Sequence, residues 1–205
     1  MVPGRYTEGG WEEAVVKLVL GAIGVAVLLG YLGGGRLSNL GAVKVRWPQL
    51  AMAGMLLQVI PAPRAVAWLG VPMLVLSFLL LGAFALANVR LPGFAVLLVG
   101  VLLNLLPIAL NDGMPVTVGA LRAAGETRSI SQMDPSGGVR YHLAGPHERL
   151  VALGDSIGGR WPVHYVVSAG DLLIFLSLMA FVVWAMRRKP RMLSHRVPVQ
   201  AGEAI

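Results

Sequence analysis

Residues 150–191 read L-V-A-L-G-D-S-I-G-G-R-W-P-V-H-Y-V-V-S-A-G-D-L-L-I-F-L-S-L-M-A-F-V-V-W-A-M-R-R-K-P-R. Two carboxylates, Asp155 and Asp171, stand 16 positions apart, with a connector bearing Trp161, Pro162 and His164 between them. After Asp171 comes an uncharged, almost wholly apolar run from Leu172 to Met186, closed by Arg187, Arg188, Lys189 and Arg191. An acid at the edge of a hydrophobic span needs a partner or a function, because burying its charge is costly.

Composition generalises what this stretch suggests. Of 205 residues, 56% are apolar and 13% charged, where a soluble domain carries about 25% charged residues. Mean hydropathy is +0.72. The apolar residues lie in long runs, so the expected fold is an all-α polytopic membrane protein. There is no cysteine, which excludes disulfides and thiolate metal sites. The net charge of +7 would elsewhere point to nucleic acid. Here the arginines adjoin apolar runs, so the lipid bilayer is the expected partner and nucleic acid is not.

Working outward, the apolar runs predict five helices near 14–32, 49–60, 65–87, 93–110 and 166–186, in a single membrane domain over 1–205. The leader through Glu13 is acidic, and basic residues follow the first run, so the first helix is expected to be uncleaved. Pro48 suits the first turn of the second helix, which is short and ends at Pro61 and Pro63. Trp68, Trp161, Tyr165 and Trp184 sit at positions suited to interfacial anchors. Residues 111–165 are rich in Gly, Pro, Ser and Arg and show no sustained apolar period. They are expected to form one long irregular extracytoplasmic loop, with a short amphipathic turn around Val116 to Leu121. A loop of that length is often functional. Residues 192–205 are expected to be a disordered cytoplasmic tail.

Charge orients this layout. Arg36, Lys44, Arg46, Arg90, Arg187, Arg188, Lys189, Arg191 and Arg196 would share one side, which the positive-inside rule makes cytoplasmic. The opposite short segments carry Arg5 and Arg64. The expected location is the plasma membrane, multi-pass, with the N-terminus outside and the C-terminus in the cytoplasm. Arg187, Arg188, Lys189 and Arg191 are expected at the lipid headgroups.

Several polar residues are candidates for chemistry. Ser168-Ala169-Gly170-Asp171 has capping-box spacing before an apolar run, which gives Asp171 a structural task. The alternative turns Asp171 toward the bundle interior. Asp155, in Leu153-Gly-Asp-Ser-Ile-Gly-Gly, reads as a turn aspartate. If it meets Asp171, the two carboxylates would share a proton and could activate water for acyl hydrolysis, with His164 beside them. Asn104 and Asn111 share one face of the fourth helix. An asparagine within a span bonds another helix or a carbonyl freed by a proline such as Pro107. Asn111-Asp112-Gly113 reads as a helix stop and turn. His142 and His147, five apart, lie off one helix face, so no metal site is expected, and no cofactor motif is present.

Four motifs together resemble a bacterial integral-membrane family known as domain of unknown function 5317. They are G-G-x-L-S-N-L at Gly34 to Leu40, N-D-G-M-P-V at Asn111 to Val116, L-G-D at Leu153 to Asp155, and V-S-x-G-D at Val167 to Asp171. The resemblance covers most of the chain and implies a membrane protein without an assigned activity. The order Asp155, Trp161, Ser168-Ala-Gly-Asp171 also resembles, more distantly, the lipoprotein signal peptidases. That likeness implies Asp155 and Asp171 as a catalytic pair, although the family's Phe-Asn pair is missing. The leading expectation is binding or assembly through the outward loop, with another membrane protein as partner. An aspartic hydrolase and a carrier or permease component are the alternatives; a carrier would show broken paired helices or an internal repeat.

Overall fold

The apolar runs of the sequence become helices because a backbone carrying mostly Leu, Val and Ala satisfies its own hydrogen bonds within a single segment. The computed structural model describes residues 9–60, 68–133, 140–161 and 164–188. The predicted roles of Pro61, Pro63, Arg5, Arg64, Lys189, Arg191, Arg196 and the 192–205 tail lie outside these. The protein is mostly helical.

Among the described residues five helices are long: α1 (Gly9–Leu32), α2 (Pro48–Val59), α3 (Gly70–Ala87), α4 (Phe94–Leu110) and, after two short helices described below, α7 (Ala169–Arg187). α3 and α7 are long and apolar enough to cross a membrane, with mean hydropathies of 2.3 and 2.1. Lys17–Leu32 and Phe94–Leu110 are shorter apolar helices. The main contacts are α2 with α3, α3 with α4, α4 with α7, and α7 with α1. α7 therefore sits between α1 and α4. A core of Leu74, Phe78, Ala85, Phe94, Leu97, Val101 and Ile108 joins α3 to α4. Phe94 meets Phe84 and Phe181 edge-on, with centroids 5.4 and 5.2 Å away.

Helix boundaries depart from expectation at three places, one being α3, which starts at Gly70 where 65 was expected, with 65–67 outside the described residues. α1 starts at Gly9 rather than near residue 14. α7 starts at Ala169 rather than 166, because the β-branched pair Val166 and Val167 belongs to a strand.

The largest correction concerns residues 111–165, which are neither irregular nor all-α. They contain β1 (Met114–Val116), α5 (Val118–Ala124), α6 (Thr127–Gln132), β2 (Tyr141–Leu143) and β3 (Ile157–Gly159), and they run on into β4 (Tyr165–Val167). β1 pairs parallel with β2, placing Pro115 opposite His142, and β3 pairs antiparallel with β4, placing Ile157 opposite Val167. Elements of three to seven residues are too short to show either a helical or a strand period, so the sequence read as loop. The expected turn near Val116 to Leu121 is α5, capped by the Thr117 hydroxyl, which accepts from the Ala120 amide, and by Gly125 at φ 82°. Val116, Ala120, Leu121, Ala124 and Val166 form a second, smaller core under these pieces.

Candidate functional site

The polar centre of the molecule lies where α4 passes the start of α7. Ser168 caps α7: its hydroxyl accepts from the Asp171 amide at 2.9 Å, and its own amide donates to Asp171 Oδ2 at 3.0 Å. The expected capping box is therefore present. Asn104 completes it from the neighbouring helix. Its Nδ2 donates to Asp171 Oδ1 at 2.7 Å, and its Oδ1 accepts from the Ser168 hydroxyl at 2.6 Å. Asn104 and Ser168 are fully buried. Each carboxylate oxygen of Asp171 and both ends of the Asn104 amide are thus occupied inside one closed ring of hydrogen bonds.

Two glycines let the helices come this close. A Cβ on Gly170 would overlap the Asn104 side chain, and one on Gly100 would stand 2.8 Å from the Gly170 carbonyl oxygen. Small residues at a helix crossing allow backbone approach and so bring a short side chain such as asparagine within reach.

Asp155 reaches the same end of the bundle by strand pairing. Its amide donates to the Pro115 carbonyl at 2.9 Å, and its carbonyl accepts from the Thr117 amide at 3.0 Å, which stitches it to β1. Gly154 makes room, since a Cβ there would lie 2.5 Å from the Pro115 carbonyl oxygen. Two residues on, β3 begins its pairing with β4, which leads into the cap of α7. Asp155 is 4% exposed, and no described side chain donates to its carboxylate. Burial pushes this carboxyl well above the usual carboxylate range, and the nearby Asp171 charge pushes it further. The two acids feel each other, yet among the described residues no hydrogen bond joins their carboxyl groups.

The other predicted polar residues divide clearly. Asn111 caps α4 by donating to the Pro107 carbonyl at 2.8 Å, and it also exchanges two 2.8 Å hydrogen bonds with the Arg149 backbone. Asp112 and Gly113 follow with φ of 55° and 138°, the left-handed turn expected of Asn-Asp-Gly. His164 is exposed. His142 is buried, with Nε2 2.8 Å from Glu148 Oε1, so it faces Glu148 rather than His147. Among the described residues no group of three or more His, Cys, Asp or Glu is placed to hold a metal. Arg187 and Arg188 are exposed at the far end of α7.

Sequence reasoning missed two residues that tie the structure together. Arg140 reaches from the segment after α6 to the end of α2, donating to the carbonyls of Gln58, Leu57 and Ile60 at 2.6, 2.9 and 2.7 Å. Asn88, buried between α3 and α4, donates to the Arg46 carbonyl at 2.8 Å and accepts from the Arg46 amide at 2.7 Å. The only available signal was a single arginine in a polar stretch and a single asparagine in a turn, and neither names its partner.

Three of the motifs thus converge on one place. Asn111–Val116 supplies β1, Leu153–Asp155 docks on it, and Val167–Asp171 closes the ring with Asn104. The fourth acts at the opposite end, where the Arg36 amide and the Asn39 side chain both donate to the Met186 carbonyl, at 2.9 and 2.7 Å. The chain belongs to the family of unknown function DUF5317, whose match spans residues 42–183 and so takes in the three converging motifs. No curated protein and no solved structure matches it.

Proposed function

We propose that this family member is a multi-pass protein of the bacterial plasma membrane whose role is binding or assembly through the unit formed by residues 111–167. In this reading α1, α2, α3, α4 and α7 cross the bilayer as a single domain, with the 111–167 unit and the N-terminus outside and the C-terminus in the cytoplasm. Its support is the distribution of polarity. Large apolar side chains such as Leu28 on α1, Met55 on α2, Leu79 on α3, Val99 on α4 and Leu176 on α7 point outward, while Ser77, Asn88, Asn104, Ser168 and Ser177 are buried. Water would disfavour that arrangement and lipid favours it.

The observation that carries binding over catalysis is the closed ring around Asn104. Asp171 is hydrogen-bonded through both oxygens to groups that hold α4 against α7, which is a scaffold's use of a carboxylate. The outer unit built on that scaffold has its own small core and presents Trp161, 84% exposed, beside the exposed Arg160. Exposed Trp and Arg are the side chains that most often anchor a protein contact. Isolated from its native membrane in mild detergent, the protein should carry a partner in fixed stoichiometry. The variant Trp161→Ala should lose it without losing its thermal transition. A chain recovered alone argues against the assembly role.

A second reading, an aspartic hydrolase using Asp155 and Asp171, is favoured by one feature: a buried acid whose proton affinity is raised by burial and by a second acid nearby is the arrangement such dyads use. It predicts that Asp155→Asn abolishes cleavage of a membrane-inserted peptide while the partner complex persists. Unchanged cleavage in a folded Asp155→Asn protein sinks it.

A further inference from the structure

Between α1 and α7 runs an open groove of about 590 Å³, lined by Leu29, Met179, Ala180, Val183, Trp184 and Arg187. It lies toward the end of both helices where the basic residues gather. Lys44, Arg46 and Arg90 stand in the connections at this end, with Arg36 beside Met186, and segments 33–47, 88–93 and 185–188 contain no acid. Gly30 and Gly33 pack against Met186 and Arg187, which pins the two helices together at the tip. The small Ala180 leaves the cleft open alongside.

The guanidinium groups at the tip are not needed to terminate α7. The Met186 carbonyl already accepts from the Arg36 amide and Asn39, and the Ala185 carbonyl from the Arg188 amide. Arg188 instead stacks over the Trp184 ring, 5.4 Å from its centroid. Among the described residues no carboxylate pairs with Arg187 or Arg188. An apolar cleft that ends in a tryptophan and two uncompensated guanidiniums matches a ligand with a hydrocarbon chain and an anionic head. Arginine recognises phosphate with paired donors, and tryptophan suits the depth where chain gives way to head.

We propose that this groove holds one acyl chain of an anionic phospholipid, with the phosphate bound by Arg187 and Arg188. The proposal rests on the membrane reading above and gives that surface a specific lipid class. The full chain is placed in bilayer nanodiscs of equimolar phosphatidylglycerol and phosphatidylcholine, and native mass spectrometry counts the lipids retained on release. Wild type should keep one phosphatidylglycerol in preference to phosphatidylcholine. Arg187→Gln with Arg188→Gln should erase the preference, at roughly fivefold per arginine. Ala180→Phe, which fills the groove, should reduce retention of both lipids. Should Ala180→Phe fail to fold, the double arginine variant, changed only at exposed positions, decides alone. Equal retention of both lipids by wild type overturns the proposal, as does unaltered preference in the arginine variant. Displacement by soluble glycerol phosphate also overturns it, because that would make the site one for free phosphate. Alkaline carbonate extraction separates the two levels: a chain washed from membranes refutes the membrane reading, whereas an embedded chain without lipid preference refutes only the groove.

Discussion

Asn104 is held by both atoms of its amide, and the consequence of removing it follows from what it leaves behind. Asn104→Leu keeps the volume but strands the Ser168 hydroxyl and one oxygen of Asp171 in a buried crossing. Leaving a buried group unsatisfied costs about 1–3 kcal/mol, with more for a charged one. The expected result is a clear fall in thermal midpoint in detergent, and Gly170→Ala should produce a similar fall by forcing Asn104 out of the ring. An unchanged midpoint in both variants would mean that the ring does not hold α4 to α7. Asp155 has a pH signature. Its folded proton affinity exceeds that of the unfolded chain, so its contribution is most favourable below the ordinary carboxylate range. It declines as pH rises from there through the raised folded range. Asp155→Asn cannot charge, so the variant should lose that downward slope and be at least as stable at neutral pH. Thermal midpoints measured against pH for both proteins check this, and parallel curves would assign the slope to another group.

At the scale of elements, the long helices follow from apolar runs and their ends from caps that the sequence displays: Pro48, Ser168 and the Asn-Asp-Gly turn. The short pieces between α4 and α7 were not legible, because three-residue strands acquire their stability from partners far away in the chain. α2 depends on such a partner as well. With 12 residues it is the shortest of the five long helices, and its final carbonyls are satisfied by the forked guanidinium of Arg140. A lysine could not serve three carbonyls with the same planar geometry. Arg140→Lys should therefore fray the last turn of α2. Hydrogen exchange resolved by peptide should show faster exchange at 56–60 with little change in α7, and uniform protection across both proteins would remove Arg140 from this role.

Across the whole molecule, the connections divide by charge. The Arg46 backbone is locked to Asn88, and the Arg36 amide to Met186. These bonds draw the first and third connections and the end of α7 toward one basic end of the bundle. The acids Asp155 and Asp171, with Arg140 at the end of α2, belong to the other. Insertion with the basic end in the cytoplasm predicts that a fluorescent reporter fused after Arg188 glows in the cytoplasm, and that a cysteine introduced at His147 is labelled by an impermeant reagent from outside. The reverse pattern would invert the topology, and labelling of both from one side would break the five-span reading. The candidate site was half legible at this scale. The sequence pointed to Asp155, Asp171, Ser168 and Asn104 one by one, but it had no means of pairing Asn104 with Asp171, 67 positions away.

What the sequence determined by itself is whatever local chemistry dictates: which long segments are helical, where Ser168 and Asp171 cap a helix, and which connections carry the cations. Those properties depend on neighbours within a turn or two, or on charge summed over a loop. Tertiary structure alone decided which helix lies beside which, and that α7 sits between α1 and α4 so that Asn104 closes the capping box. It also decided that residues 111–167 build a small folded unit. Such contacts are selected by packing across the whole chain, where glycines permit close approach and a distant side chain happens to fit. The acids at the edge of the last apolar run are an example of both. The place of Asp171 at the helix mouth was written locally, while the burial that raises the proton affinity of Asp155 came with strands the sequence did not display.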